Sequence, residues 1–93
     1  MTVIDVVAKG LHIAPKELLR ESLKSYLEKK LSRIETDIFL LAKKYGVKDV
    51  FDLDSKVKKG FFSEKESYED YFLFDNLEAE CERIKRLIGK VNV

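Results

Sequence analysis

Tryptophan is missing from this 93-residue chain, and cysteine, histidine and proline occur once each. Each shortage closes a class of function. A lone cysteine forms no internal disulfide, so Cys81 reads as a small buried hydrophobe in a reducing compartment. A lone histidine, His12, cannot supply the two imidazoles of a helical di-metal site, and no nucleophile constellation surrounds it. Phosphate loops of the Gly-x-x-x-x-Gly-Lys kind and Cys-x-x-Cys zinc pairs are absent from the sequence. No metal or cofactor is therefore expected, and the chain reads as a non-enzyme. A small helical enzyme using Arg20, Arg33 and a facing carboxylate is the outside alternative.

No stretch approaches the ~20 apolar residues of a membrane span. The apolar start Val3–Ala8 contains Asp5 and lacks a basic leader, which gives the expectation of a soluble, unprocessed, cytoplasmic protein. Neither charge sign dominates: 18 Lys and Arg face 17 Asp and Glu, for a net charge of +1. Repeats, low-complexity tracts and flexible linkers are also lacking, so residues 1–93 form one domain.

What the chain does hold is helix. Two apolar stripes recur at spacings of three and four, Leu31, Ile34, Ile38, Leu41, Tyr45 and Phe74, Leu77, Cys81, Ile84, Ile88, Val91. That spacing keeps each set on one side of a helix, and each seam requires a covering helix. Pro15 suits a first helical turn and Gly46 a C-terminal cap, predicting a helix over about 15–45. Val50, Leu53 and Val57, with Asp49 as cap and Gly60 as stop, predict a short helix over about 48–59. Ser63 and Glu66 form a capping-box pattern opening a last helix over about 64–91, with Phe61 or Phe62 as staple. The Ile4, Val7, Ala8, Leu11 spacing favours helix for the N-terminal segment, broken at Gly10. The fold is thus all-α: two long antiparallel helices, a short helix at their bend and a short N-terminal segment. So small a core leaves apolar surface over, and a homo-oligomer, with a dimer favoured, is the default expectation.

Two segments invite a functional reading. The first is the acidic, aromatic stretch Tyr68, Glu69, Asp70, Tyr71, Phe72, Phe74 and Asp75. Aromatic side chains supply contact area at low entropic cost, and carboxylates complement a basic groove, so these residues are candidate contacts for a basic protein partner. The bland alternative is that the aromatics close the core at the hairpin bend. They spread over nearly half a helical circumference at 100° per residue, however, so one face cannot bury them all. The second segment looks like a minimal helix-turn-helix, Val6–Lys9, Gly10–Ile13 and the helix from Pro15, with Lys9, Lys16, Arg20 and Lys24 as candidate DNA contacts. A simple N-terminal brace or dimerisation arm is its alternative. Asp75, Glu78 and Glu82 share a helical face, which reads as solvated.

The run Ile13–Leu23, then Tyr26–Leu31, the Lys44-Tyr45-Gly46-Val47 turn and the Tyr-Glu-Asp-Tyr-Phe segment before Asn76-Leu77-Glu78 resemble small archaeal helical proteins, antitoxin-like members of toxin–antitoxin pairs. The resemblance implies a protein that neutralises a toxin, often a ribonuclease, and represses its own operon. It also implies that the acidic aromatic stretch meets the toxin and the N-terminal segment meets DNA. A structural or scaffolding helical module is the alternative reading.

Overall fold

In the computed structural model, which describes residues 2–92, the chain is four helices in a rod of 60 × 21 × 18 Å. They are α1 (Val3–Leu11), α2 (Pro15–Tyr45), α3 (Val50–Lys58) and α4 (Glu64–Val91). The radius of gyration is 19.2 Å, where a compact domain of this length has about 12–13 Å. The long helices α2 and α4 lie side by side as an antiparallel hairpin, α3 packs across its bend against α4, and α1 touches the start of α2.

Local chemistry sets the boundaries. Pro15 occupies the first turn of α2, where its missing N–H has no intrahelical partner to lose. Gly46 ends that helix at φ 63°, with the Val47 N–H reaching back to the Ala42 carbonyl at 2.9 Å. Asp49 caps α3 by accepting the Asp52 N–H at 2.7 Å. At the far end of α3, Gly60 turns the chain at φ 84°.

Two expectations fail. Gly10 lies inside α1, and the break comes at His12, which takes the left-handed conformation at φ 60° and ends the helix with the same hydrogen-bond pattern as Gly46. The start of α1 is fixed by a capping box between Thr2 and Asp5. Ser63 makes no side-chain cap for α4, so its pairing with Glu66 is absent. The Ser63 carbonyl instead accepts both the N–H and the hydroxyl of Ser67, at 3.0 and 2.8 Å. Phe62 leaves the helix start and meets the Tyr45 ring edge-on at 5.1 Å.

The core is concentrated at one end. Leu41, Val47, Val50, Leu53 and Phe74 form a buried cluster where α3 covers the hairpin, and Leu53 and Phe74 are fully withdrawn from solvent. Along the stem, Ile34, Cys81 and Ile84 form a second cluster with help only from partly buried neighbours. Among the described residues, none from Pro15 to Tyr26 and none from Lys85 to Val91 is buried. The rod therefore has a closed head and an open tail.

Replacing Phe74 by alanine empties the centre of the head and should cost about 3–5 kcal/mol. Urea unfolding of Phe74→Ala beside Leu23→Ala measures this. The tail variant, half-exposed in the folded chain, should lose far less, and equal losses would contradict a core confined to the head.

Candidate protein-interaction surface

The outer arc of α4 is set by helical arithmetic. At 100° per residue, Glu64, Tyr68, Tyr71, Phe72 and Asp75 fall within about one third of the circumference, adjoining the arc that carries Ser67 and Phe74 inward. Asp54 and Val57 of α3 supply the opposite wall, and the two helices enclose a cleft of about 260 Å³ with Ser67 at its floor. Tyr68 meets Phe72 edge-on at 5.0 Å, and Tyr71 meets Phe72 edge-on at 5.6 Å. Such edge-to-face pairing orients three rings before any ligand arrives. Tyr68 is 59% and Phe72 50% exposed, although a core stands within one helical turn of them.

Carboxylates frame the rings. Glu64 and Asp54 line the cleft, and Asp75 lies exposed on the same arc. Asp54 is paired with Lys58 of its own helix at 2.9 Å, which raises the Lys58 ammonium above its ordinary value. Phe51 and Phe61, 79% and 69% exposed, add aromatic surface at the same end of the rod.

The structure divides the sequence candidates. Tyr68, Tyr71, Phe72 and Asp75 come together on this face, with Glu69 exposed on another flank of the helix. Phe74 does not belong with them: it is fully buried in the head and is unavailable to a partner. Asp70 also points inward, to α2, where it accepts a hydrogen bond from the Lys44 ammonium at 2.6 Å and from the Tyr45 hydroxyl at 2.5 Å. The Lys44 hydrogen bond, with that of Tyr45, holds the Asp70 carboxyl below the ordinary carboxylate value. Burial, and then the bond to Asp70, pushes the Tyr45 phenol up.

Glu78 likewise leaves the solvated acidic face. Its carboxylate accepts the Val50 N–H at 3.0 Å and so caps α3 from α4, while burial raises its pKa against that bond. Lys56 holds the other side of α3 by donating to the Gly46 carbonyl at 2.9 Å. The cleft wall is therefore anchored to both long helices.

Sequence reasoning passed over Asp54, Glu64, Phe51 and Phe61. Phe51 was detectable, since it falls outside the Val50, Leu53, Val57 stripe. Asp54 and Glu64 join only through the packing of α3 on α4.

The N-terminal candidates lie at the opposite end. Lys9, Lys16 and Arg20 are exposed and Lys24 is partly covered. Arg20 is forked onto Glu17 at 2.9 and 3.0 Å, and Lys16 and Arg20 border an open cleft with Leu19, Leu23, Lys90 and Val91. The three residues His12, Ile13 and Ala14 do separate two helices. Among the described residues, the main packing of α1 is against α2, so the pair lacks the supporting helix of a DNA reader.

The chain matches the model of the Uncharacterized protein MJ0235 family over residues 1–93 and belongs to that family. It is similar to Uncharacterized protein MJ0235 of Methanocaldococcus jannaschii, with 27% identity over 78 residues that span 84% of this chain and 95% of that one. No solved structure matches it. The archaeal part of the resemblance is thereby shown.

Asp70 stabilises the fold through its ionised form. Because its folded pKa is lowered, that contribution is complete above the ordinary carboxylate range and is lost as the pH falls through the folded value. The stability difference between wild type and Asp70→Asn, measured by urea unfolding, should narrow as the pH drops from about 5 to about 2. Glu78, shifted the opposite way, cancels in that difference. Tyr45→Phe should also raise the Asp70 titration read by carboxyl NMR; an unchanged titration would contradict the clamp.

Proposed function

We propose that this chain is a protein-interaction module that holds a basic protein partner against the α3–α4 face, in the manner of an antitoxin occupying the basic cleft of a ribonuclease. The observation that carries this reading is the exposed pair Tyr68 and Phe72, oriented by the half-buried Tyr71 and bordered by Asp54, Glu64 and Asp75. Aromatic anchors supply the larger share of binding energy at protein interfaces, and carboxylates around them speed encounter with a basic surface and reject acidic ones. The rings are seated on a rigid head, so little side-chain freedom is lost on docking.

Operator contact through Lys9, Lys16, Arg20 and Lys24 is the weaker part of the antitoxin reading. Arg20 is paired with Glu17 on the helix surface, and Lys16, Arg20 and Lys90 edge a cleft otherwise lined by Leu19, Leu23 and Val91. A purely structural, oligomerising role draws support from the uncovered apolar tail. The two roles occupy opposite ends of the rod and are compatible.

The test is capture of the partner from the host with tagged protein, followed by titration of the purified partner against wild type and Tyr68→Ala/Phe72→Ala. Each anchor removed should cost about 2 kcal/mol, so the double variant should bind at least about 100-fold more weakly. Its circular dichroism should be unchanged, and the wild-type association rate should fall as salt rises. Recovery of no basic protein, or full affinity in the double variant, would contradict the proposal.

A further inference from the structure

The tail carries apolar side chains that nothing within the chain covers. On α1, Val3, Val6, Val7 and Leu11 are 44–80% exposed and only Ala8 is buried, and on α2, Leu19 and Leu23 are about half exposed. A nine-residue helix is too short to sustain itself in water. Three of its residues are valines, whose β-branching lowers helix propensity. Gly10 in α1 and Gly89 in α4 lower it further, and open space lies where each would carry a side chain. Cover from outside is what would make α1 a stable element.

We infer that the tail pairs with the tail of a second copy of this chain across a two-fold axis, α1 of each copy lying against the opening between α2 and α4 of the other. Area argues for it. The six tail side chains named above leave roughly 400–500 Å² of apolar surface in water, and a standard stable interface takes about 800 Å² per partner, a little over half of it apolar. The amounts match.

Charge acts against the pairing: Lys9, Lys16, Arg20, Lys24, Lys85, Arg86 and Lys90 outnumber Asp5, Glu17 and Glu21 at this end, and a two-fold interface sets the patch against itself. The association should therefore tighten as salt screens these cations. Pairing at the tail leaves both head faces free at the two ends of the assembly. This inference stands independently of the basic-partner proposal.

Sedimentation equilibrium of the full chain between about 1 and 200 μM tests it. A monomer–dimer equilibrium is expected, weakened about 100-fold or more in Val3→Lys/Val7→Lys and unchanged in Tyr68→Ala/Phe72→Ala. Wild-type ¹H–¹⁵N spectra at both ends of that range give a readout free of any folding defect in the variants. Their concentration-dependent shifts should fall on residues 3–23 and the end of α4. A monomer throughout, an assembly larger than a dimer, a dimer indifferent to Val3→Lys/Val7→Lys, or shifts centred on Tyr68 and Phe72 would each overturn the inference.

Discussion

The packing of Phe74 against Leu53 is the contact on which the rest of the molecule depends. Two antiparallel helices alone share a single seam, and a seam between two cylinders leaves most of each apolar stripe partly wet. A third helix laid across one end changes that locally: Leu53 and Phe74 lose all exposure, and Leu41, Val47 and Val50 close around them. The polar contacts at the head serve the same junction. Glu78 caps α3 from α4, Lys56 ties α3 to the end of α2, and the Asp70 clamp joins α4 to α2 through Lys44 and Tyr45. It is the convergence of α2, α3 and α4 at the bend that gives the chain its main core.

That convergence also decides what remains outside. The start of α4 carries aromatic residues over nearly half its circumference, and the junction admits only part of that arc. Phe74 enters completely and Tyr71 in part, while Tyr68 and Phe72 are held at the rim, open to water, with the Phe72 ring meeting both tyrosines edge-on. A rigid wall from α3 then turns an exposed arc into a cleft. The same geometry explains the tail: it lies beyond the reach of α3, and α1 is too short and too poorly covered to close it. The two ends thus have different surface chemistry, aromatic and acidic at the head, aliphatic and predominantly basic at the tail.

Most of the architecture was legible in the sequence because it rests on local signals. The heptad-like stripes, Pro15, Gly46, Asp49 and Gly60 fixed the long helices and the bend to within a few residues of their observed ends. Misreadings arose where a residue had two available roles. Glycine punctuates helices, so Gly10 reads as the break, but the chain turns two residues later, where His12 adopts the left-handed conformation. Ser63 and Glu66 have the spacing of a capping box, but the Ser63 side chain makes no cap hydrogen bond. At the candidate site the aromatic segment was visible as a whole, and its sorting was not. Phe74 belonged to a stripe and to the segment at once, and burial settled the matter. Asp70 reads as a partner contact and Glu78 as a solvated carboxylate because the groups they bind, Lys44, Tyr45 and the Val50 N–H, lie 25 or more residues away.

Cooperative stability resides in the head, where α3 closes the hairpin, and decays along the rod toward the uncovered tail. Residue-resolved amide hydrogen exchange on a dilute sample measures this most directly. The account predicts the slowest amides in the stretches around Leu41, Leu53 and Phe74, intermediate protection near Ile34 and Cys81, and fast exchange through α1 and the last turns of α4. Uniform protection from end to end, or slowest exchange in α1 of the dilute protein, would contradict it.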